Sequence, residues 1–400
     1  MGSAPTFPTT SYPTVAPPST DNVHLRVEVD RSRCSTPEPS LNSRLVHLEA
    51  QGITISIAQL VANANLHFAN SGMDDGAGEE EARMRAAWEL LRHWNMEAVP
   101  HYRQPNRMVL RVAEQPNSRM TAIRSEVLAI GVALEVGIRL YEMPYAYWAA
   151  TEGLQAFDLQ CSDDDGNEFR IEARGRIDRT NVRTAIEQVH TKFPNADFSH
   201  AAGVIFFPRT TNRGRKDLIV LDPEGKPQAG LANRKYRNLL LHYAPIFIAQ
   251  GGLVRRFGQR LRTLAKASDI EFQAYLATGD NELQGVPTRR ARTSLAWRGT
   301  LYLGTFFEDF VWPDWLTSIS PPNRGGVFFW GVAKEIVVAI ENGALATLRF
   351  PVGEQAIVDR TEATMAIIMP DRTALIWSGT TQDLDRAERD AVEQQGRMPA

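Results

Sequence analysis

Between Gln155 and Arg176 the chain alternates apolar and polar residues twice, with a turn-forming run in between. Phe157, Leu159 and Cys161 fall on one face of the first segment, Asp158 and Gln160 on the other. In the second segment Phe169, Ile171 and Ala173 share one face, and Arg170, Glu172 and Arg174 share the opposite one. Period-two alternation marks a half-buried strand, and the intervening Asp163–Asn167, reading DDDGN, is hairpin chemistry. That loop sets a register in which residue 158 faces 172, 160 faces 170 and 156 faces 174. Asp158 and Glu172 are then neighbours on the polar face, where like charges directly opposite repel. Either a divalent cation or the adjacent arginines offset that repulsion.

Helical and strand periods set the surroundings. Ile123, Val127, Ile130, Leu134 and Ile138 form an apolar stripe along Thr121–Arg139, with Glu126 on its border. Tyr145–Ala150 reads as a short strand before the hairpin. Asn181–Phe193 reads as a helix with Val182, Ala185, Ile186, Val189 and Phe193 on its apolar side and Thr184, Gln188 and Lys192 in a polar row. Ala202–Phe207 reads as a buried strand, giving the order helix, strand, strand, strand, helix, strand, and Asp217–Leu221 reads as one more strand after it. Upstream, strands are expected at Val23–Asp30, Arg44–Glu49 and Arg107–Ala113, and helices at Ile57–Ala69 and Glu80–Met96. Downstream of Gly230 the apolar spacing is helical, and strands are expected at Glu335–Ile340, Thr364–Met369 and Thr373–Trp377. Trp312, Trp315 and the FFW run at 328–330 suit a core or an interface better than a base-stacking platform. The chain divides into a tail (1–22), an α/β region (23–114), a central core (115–230), a mixed helical and β region (231–382) and a charged tail (383–400).

Composition narrows the picture. With 400 residues, 43% hydrophobic and 23% charged, the chain fits a soluble globular protein of two or three domains. No apolar run approaches the roughly 18–20 residues of a membrane span. Cys34 and Cys161, far apart and outside any CxxC, point to a reducing, cytoplasmic setting and away from a disulfide scaffold or structural zinc. The Pro/Ser/Thr-rich start reads as a disordered tail and lacks the basic and apolar regions of a signal peptide; Met1–Thr6 fits only the loose myristoylation pattern. The eight histidines are scattered, and GxSxG, GxxxxGK[ST] and GxGxxG are missing. Asp163–Gly166 lacks the distal Glu of a calcium loop and belongs to the turn.

Net charge of −3 conceals an asymmetry. From Ala201 to Lys266 there are 13 Lys or Arg against 3 acids, about +10, which leaves about −13 for the rest. Such a local field suits a polyanionic partner, with Arg209, Arg213, Arg215, Lys216, Arg234, Lys235, Arg255 and Arg256 as candidate phosphate contacts. The competing account is a solvated basic segment that pairs with acids of the same chain.

Taken together, Glu126, Asp158, Glu172-Ala173-Arg174, Gln188 and Lys192 in the order αβββαβ resemble the PD-(D/E)XK nuclease superfamily, over about Arg119–Asp222. The resemblance implies an α/β protein with a restriction-endonuclease-like αβββαβ core, flanked by the small N-terminal α/β region and the mixed α+β C-terminal region. It implies that Asp158 and Glu172 bind Mg²⁺ or Mn²⁺, that Glu126 is an accessory acid and that Gln188 contacts water or phosphate. Hard cations held by carboxylate oxygens activate water and neutralise charge on phosphorus, which phosphodiester hydrolysis requires. The family's lysine position holds Arg174, which stabilises negative charge but is too strongly protonated to be a good general base. Lys192 offers an ammonium from a shifted position. The implied activity is metal-dependent cleavage of DNA in preference to RNA; the alternative is a catalytically retired core that binds nucleic acid or acts as a scaffold. The C-terminal region is open to a homodimer contact or a protein partner.

Overall fold

The computed structural model describes residues 22–31, 39–68, 96–101, 104–112, 118–151, 157–176, 182–193, 200–208, 217–225, 233–249, 252–284, 294–311, 325–360, 364–379 and 382–383. All of the helix expected at Glu80–Met96 except Met96, which is in a strand, lies outside them, as do the four basic residues Arg209, Arg213, Arg215 and Lys216, the pair Trp312 and Trp315, and nearly all of both tails.

The N-terminal part runs β1 (Asn22–Leu25), β2 (Val27–Asp30), α1 (Pro39–Gln51), β3 (Ile53–Ser56), α2 (Ile57–Phe68), β4 (Met96–His101) and β5 (Gln104–Val112). Arg44–Glu49, expected as a strand, lies inside α1. Leu41, Leu45 and Leu48 are its buried residues, and their spacing of four and three overrides the short local alternation. Gly52, with φ of 67°, ends this helix by donating its N–H to Leu48 O at 2.7 Å.

The central part runs α3 (Ser118–Tyr141), a 3-10 turn (Tyr145–Tyr147), β6 (Ala149–Ala150), β7 (Leu159–Ser162), β8 (Glu168–Gly175), α4 (Val182–His190), β9 (His200–Phe206) and β10 (Leu218–Gly225). The strand expected over Tyr145–Ala150 shrinks to two residues. Tyr145 through Ala149 are all buried, so no solvent face imposes a two-residue period there. The hairpin forms in the expected register, with Leu159 opposite Ile171, Gln160 opposite Arg170 and Cys161 opposite Phe169. Its turn is closed by Asn167 N donating to Asp163 Oδ1 at 2.8 Å, with Gly166 at φ of 80°.

These strands form a mixed six-stranded sheet in the order β2-β10-β9-β8-β7-β6. β8 and β9 run parallel, as do β10 and β2, and the other neighbours are antiparallel. The N-terminal strand β2 is thus hydrogen-bonded into the sheet of the central part. On one face α3 packs over Leu159, Ile171, Ala173, Val204 and Val220. On the other, Ala185 and Val189 of α4 join Phe193, Phe157, Ala201, Ile205 and Ile219 in a separate cluster. α3 approaches β8 so closely that a Cβ on Gly175 would lie 2.0 Å from Ser125 C and 2.1 Å from Ser125 O. Backbone meets backbone at this point, which only glycine permits.

The C-terminal part runs α5 (Arg234–Ala249), α6 (Gly252–Lys266), α7 (Asp269–Thr278), β11 (Ser294–Trp297), β12 (Thr300–Val311), β13 (Gly325–Ala333), α8 (Lys334–Glu341), β14 (Ile357–Arg360), β15 (Thr364–Ile368) and β16 (Thr373–Ser378). Glu335–Ile340, expected as a strand, is helical: Ile336, Val337 and Ile340 are buried at helical spacing, and packing overrides the β-propensity of the IVV run. The second sheet has six antiparallel strands in the order β11-β12-β13-β16-β15-β14. Its two outermost strands meet, because Trp297 Nε1 donates to Asp359 Oδ2 at 3.2 Å and Arg298 pairs with the same carboxylate. The sheet is therefore rolled upon itself. The FFW run is core: Phe328 stacks on Trp377 at 4.8 Å and Phe329 packs on Phe306 at 4.9 Å.

α5 ties the two sheets together. Asn238 accepts from Gln160 Nε2 at 3.3 Å and donates to Ser162 Oγ at 3.2 Å. One turn on, His242 places Nδ1 2.8 Å from Trp148 O and Nε2 2.5 Å from Asp371 Oδ2.

Candidate active site and basic surface

Asp158 enters β7 and Glu172 lies in the middle of β8, both on the sheet face opposite α3. Asp158 Oδ2 accepts from the Ala173 N–H at 2.7 Å, which brings its carboxyl beside that of Glu172. Glu172 is fully buried. Lys192, from the turn after α4, places Nζ 2.7 Å from Glu172 Oε2, and Arg174 contacts the other oxygen. Arg174 also donates to Ala173 O at 3.0 Å and lies 3.9 Å from Asp158 Oδ2.

Burial, and then the nearby Asp158 charge, push the Glu172 carboxyl up to about 7 against the opposing pull of Arg174 and Lys192. Burial also raises Asp158, against its bond from Ala173 N–H and the same two cations. Both carboxyls are therefore harder to ionise than free ones, and Arg174 and Lys192 hold positive charge against them. That is the electrostatic demand a hard cation meets. Mg²⁺ is commonly held by one or two carboxylates, with waters and substrate phosphate completing the octahedron, and Asp158 with Glu172 fits that donor set. Among the described residues no group of three or more His, Cys, Asp or Glu could hold a metal, so these two carboxylates are the only protein donors of that kind at this place.

Glu126 and Gln188 are drawn to a different residue. Glu126 Oε2 accepts from Gly175 N at 2.9 Å, and Arg176 donates to Glu126 Oε1 and to Gln188 Oε1, each at 2.6 Å. Arg176 therefore fastens α3 and α4 to the end of β8, beside the acid pair. Nothing in the motif marks Arg176; the available signal is that it continues the polar face from 172 and 174 at the same two-residue step.

The basic segment divides in two. Arg234 pairs with buried Glu168, which Arg170 grips from its other side, and Lys235 pairs with Asp164 while lying 4.8 Å from the Tyr236 ring centroid. These cations dock α5 on the hairpin, so the account in which basic residues pair with acids of the same chain holds for them. α6 is different. Val254, Phe257, Leu261 and Leu264 are buried, and Arg260 pairs with Asp280 at 2.8 Å. Arg256 is exposed and Arg255 partly so, and neither has a carboxylate partner among the described residues.

Comparison with protein-family models, with curated proteins and with solved structures gives no match in any of the three. No helix among the described residues is long and apolar enough to cross a membrane.

Proposed function

We propose that this protein is a metal-dependent nuclease acting on DNA phosphodiesters, built on a restriction-endonuclease-like core. The observation that carries it is the convergence of Asp158, Glu172 and the Lys192 ammonium at one point of the sheet. The αβββαβ element order and the parallel pairing of β8 with β9 support it as well. Asp158 and Glu172 would hold one Mg²⁺ or Mn²⁺, which supplies Lewis acidity and an activated water. Lys192, supplied by the helical side of the site, takes the place left by the arginine in the motif: it orients the water and stabilises charge on phosphorus. Arg174 is a second electrophile. The open cations of α6 run along the phosphate backbone, giving affinity without sequence choice.

Incubation of supercoiled plasmid with the full-length protein tests the activity. Nicking or linearisation in Mg²⁺ or Mn²⁺ that stops in EDTA is the expected result, and no cleavage in either ion overturns it. A non-cleaving nucleic-acid-binding protein is the second possibility, favoured by the internal cations already seated on Glu172. Binding without metal tests the surface in both cases. Replacing Arg255 and Arg256 by Ala should flatten the slope of log affinity against log salt by about 2, one for each lost phosphate contact. An unchanged slope places the nucleic acid elsewhere.

A further inference from the structure

The polar face of β8 carries one motif twice. Glu168 and Glu172 are 2% and 0% exposed, and each is gripped by two cations, Arg170 with Arg234 and Arg174 with Lys192. The second clamp differs from the first because another acid, Asp158, adjoins it. There the guanidinium of Arg174 lies across both carboxylates: Nη2 contacts Glu172 Oε1, and Nη1 is 3.9 Å from Asp158 Oδ2. A cation shared by the two acids would occupy the same place. The Arg174 and Asp158 side chains each keep 23% of their surface exposed while Glu172 keeps none, so Glu172 is reached from solvent only past its partners, the guanidinium among them. Arginine stays charged across the physiological range, so its charge is not removed by titration; the group has to move. Its planar fork is also well shaped to pair bidentately with phosphate.

Resting on the metal role proposed for Asp158 and Glu172, we propose that Arg174 is a built-in plug of that site. The guanidinium and a divalent cation compete for the same two carboxylates. A phosphodiester backbone draws Arg174 outward, so that metal loading is coupled to nucleic-acid binding. The coupling is reciprocal: bound metal frees Arg174 for phosphate and tightens the nucleic acid by the same factor.

Mn²⁺ binding to the full-length protein, followed by loss of the free-ion EPR signal, reads the plug without turnover. The unmodified protein alone should bind Mn²⁺ weakly, and Arg174→Ala should tighten binding by about tenfold, within the usual range of coupling between sites. A nuclease-resistant phosphorothioate duplex should tighten Mn²⁺ for the unmodified protein by a similar factor and leave Arg174→Ala nearly unchanged. Arg174→Gln, closer in shape, repeats the measurement should the alanine variant fold poorly. Arg170→Ala removes the same charge from the neighbouring clamp and should leave Mn²⁺ affinity nearly unaltered. Glu172→Gln placed in the Arg174→Ala background should abolish binding. Equal Mn²⁺ affinity with and without Arg174 overturns the plug and leaves the metal role intact. Tightening by Arg170→Ala as large as that by Arg174→Ala reduces the effect to net charge and also overturns it. Binding that survives Glu172→Gln places the ion elsewhere, and no binding by any variant removes both the plug and the metal role.

Discussion

Replacing Glu172 by Gln is expected to lower metal-dependent cleavage by about 10²–10³-fold, the usual cost of removing one preorganised electrostatic group. The same change should make the protein less sensitive to alkaline pH. The Glu172 carboxyl ordinarily titrates near 4.5 and is raised to about 7 in the fold by burial and by Asp158. Between those values the folded state keeps a proton that the unfolded chain has released. The stability this group contributes is therefore fully present below about 4.5 and is lost as pH rises through 7, a loss of about 3 kcal/mol. Gln has nothing to ionise at this place, and Asp158 is left as a counter-charge to Arg174 and Lys192. Melting temperatures between pH 5 and 8 should fall less steeply for Glu172→Gln than for the unmodified protein. Parallel curves would mean that Glu172 is already ionised throughout this range, and undiminished cleavage would remove it from the site.

Asp371→Ala is expected to cost about 3–5 kcal/mol, a large part of the roughly 5–15 kcal/mol available to a folded domain. Asp371 is fully buried in the turn between β15 and β16. Its carboxylate accepts from Thr373 N at 2.9 Å and Thr373 Oγ1 at 2.6 Å, and faces His242 Nε2 at 2.5 Å. Truncation strands all three partners where water does not reach them, and each stranded group carries its own desolvation penalty. Because His242 also binds Trp148 O, the loss spreads from the second sheet into the first. Urea unfolding measures the cost, and a double-mutant cycle with His242→Ala isolates the pair; a cost under about 1 kcal/mol would show that the turn holds without it.

The hairpin and its register were legible because a five-residue DDDGN loop leaves the facing strands one arrangement, and a one-residue slip would turn Leu159 and Cys161 outward. Phe157, expected on their face, lies before the strand begins and stacks instead on Phe193 in the cluster on the opposite face. The succession of helices and strands around it followed from apolar periods long enough to be unambiguous. Short segments were not: Arg44–Glu49 and Glu335–Ile340 look like strands in isolation, and their helical state comes from the buried leucines of α1 and from the packing of Ile336 and Ile340. Within the site, the pairing of Asp158 with Glu172 followed from register alone. The fastening of Glu126 and Gln188 to Arg176, and the reach of Lys192 to Glu172, depend on how two helices sit against one strand end, which no local pattern encodes. For the same reason, charge counting could not tell the cations consumed by the hairpin from Arg255 and Arg256, which have no carboxylate partner among the described residues.

The meeting of Trp297 and Arg298 with Asp359 also bears on where the two edges of the second sheet lie. A sheet left open ends in two rows of unsatisfied N–H and C=O groups, templates on which another chain can add a strand. Here one carboxylate draws both borders of the second sheet together across 62 positions of sequence. A single acid thus links the two borders through side chains, a tie that no backbone pairing between β11 and β14 supplies.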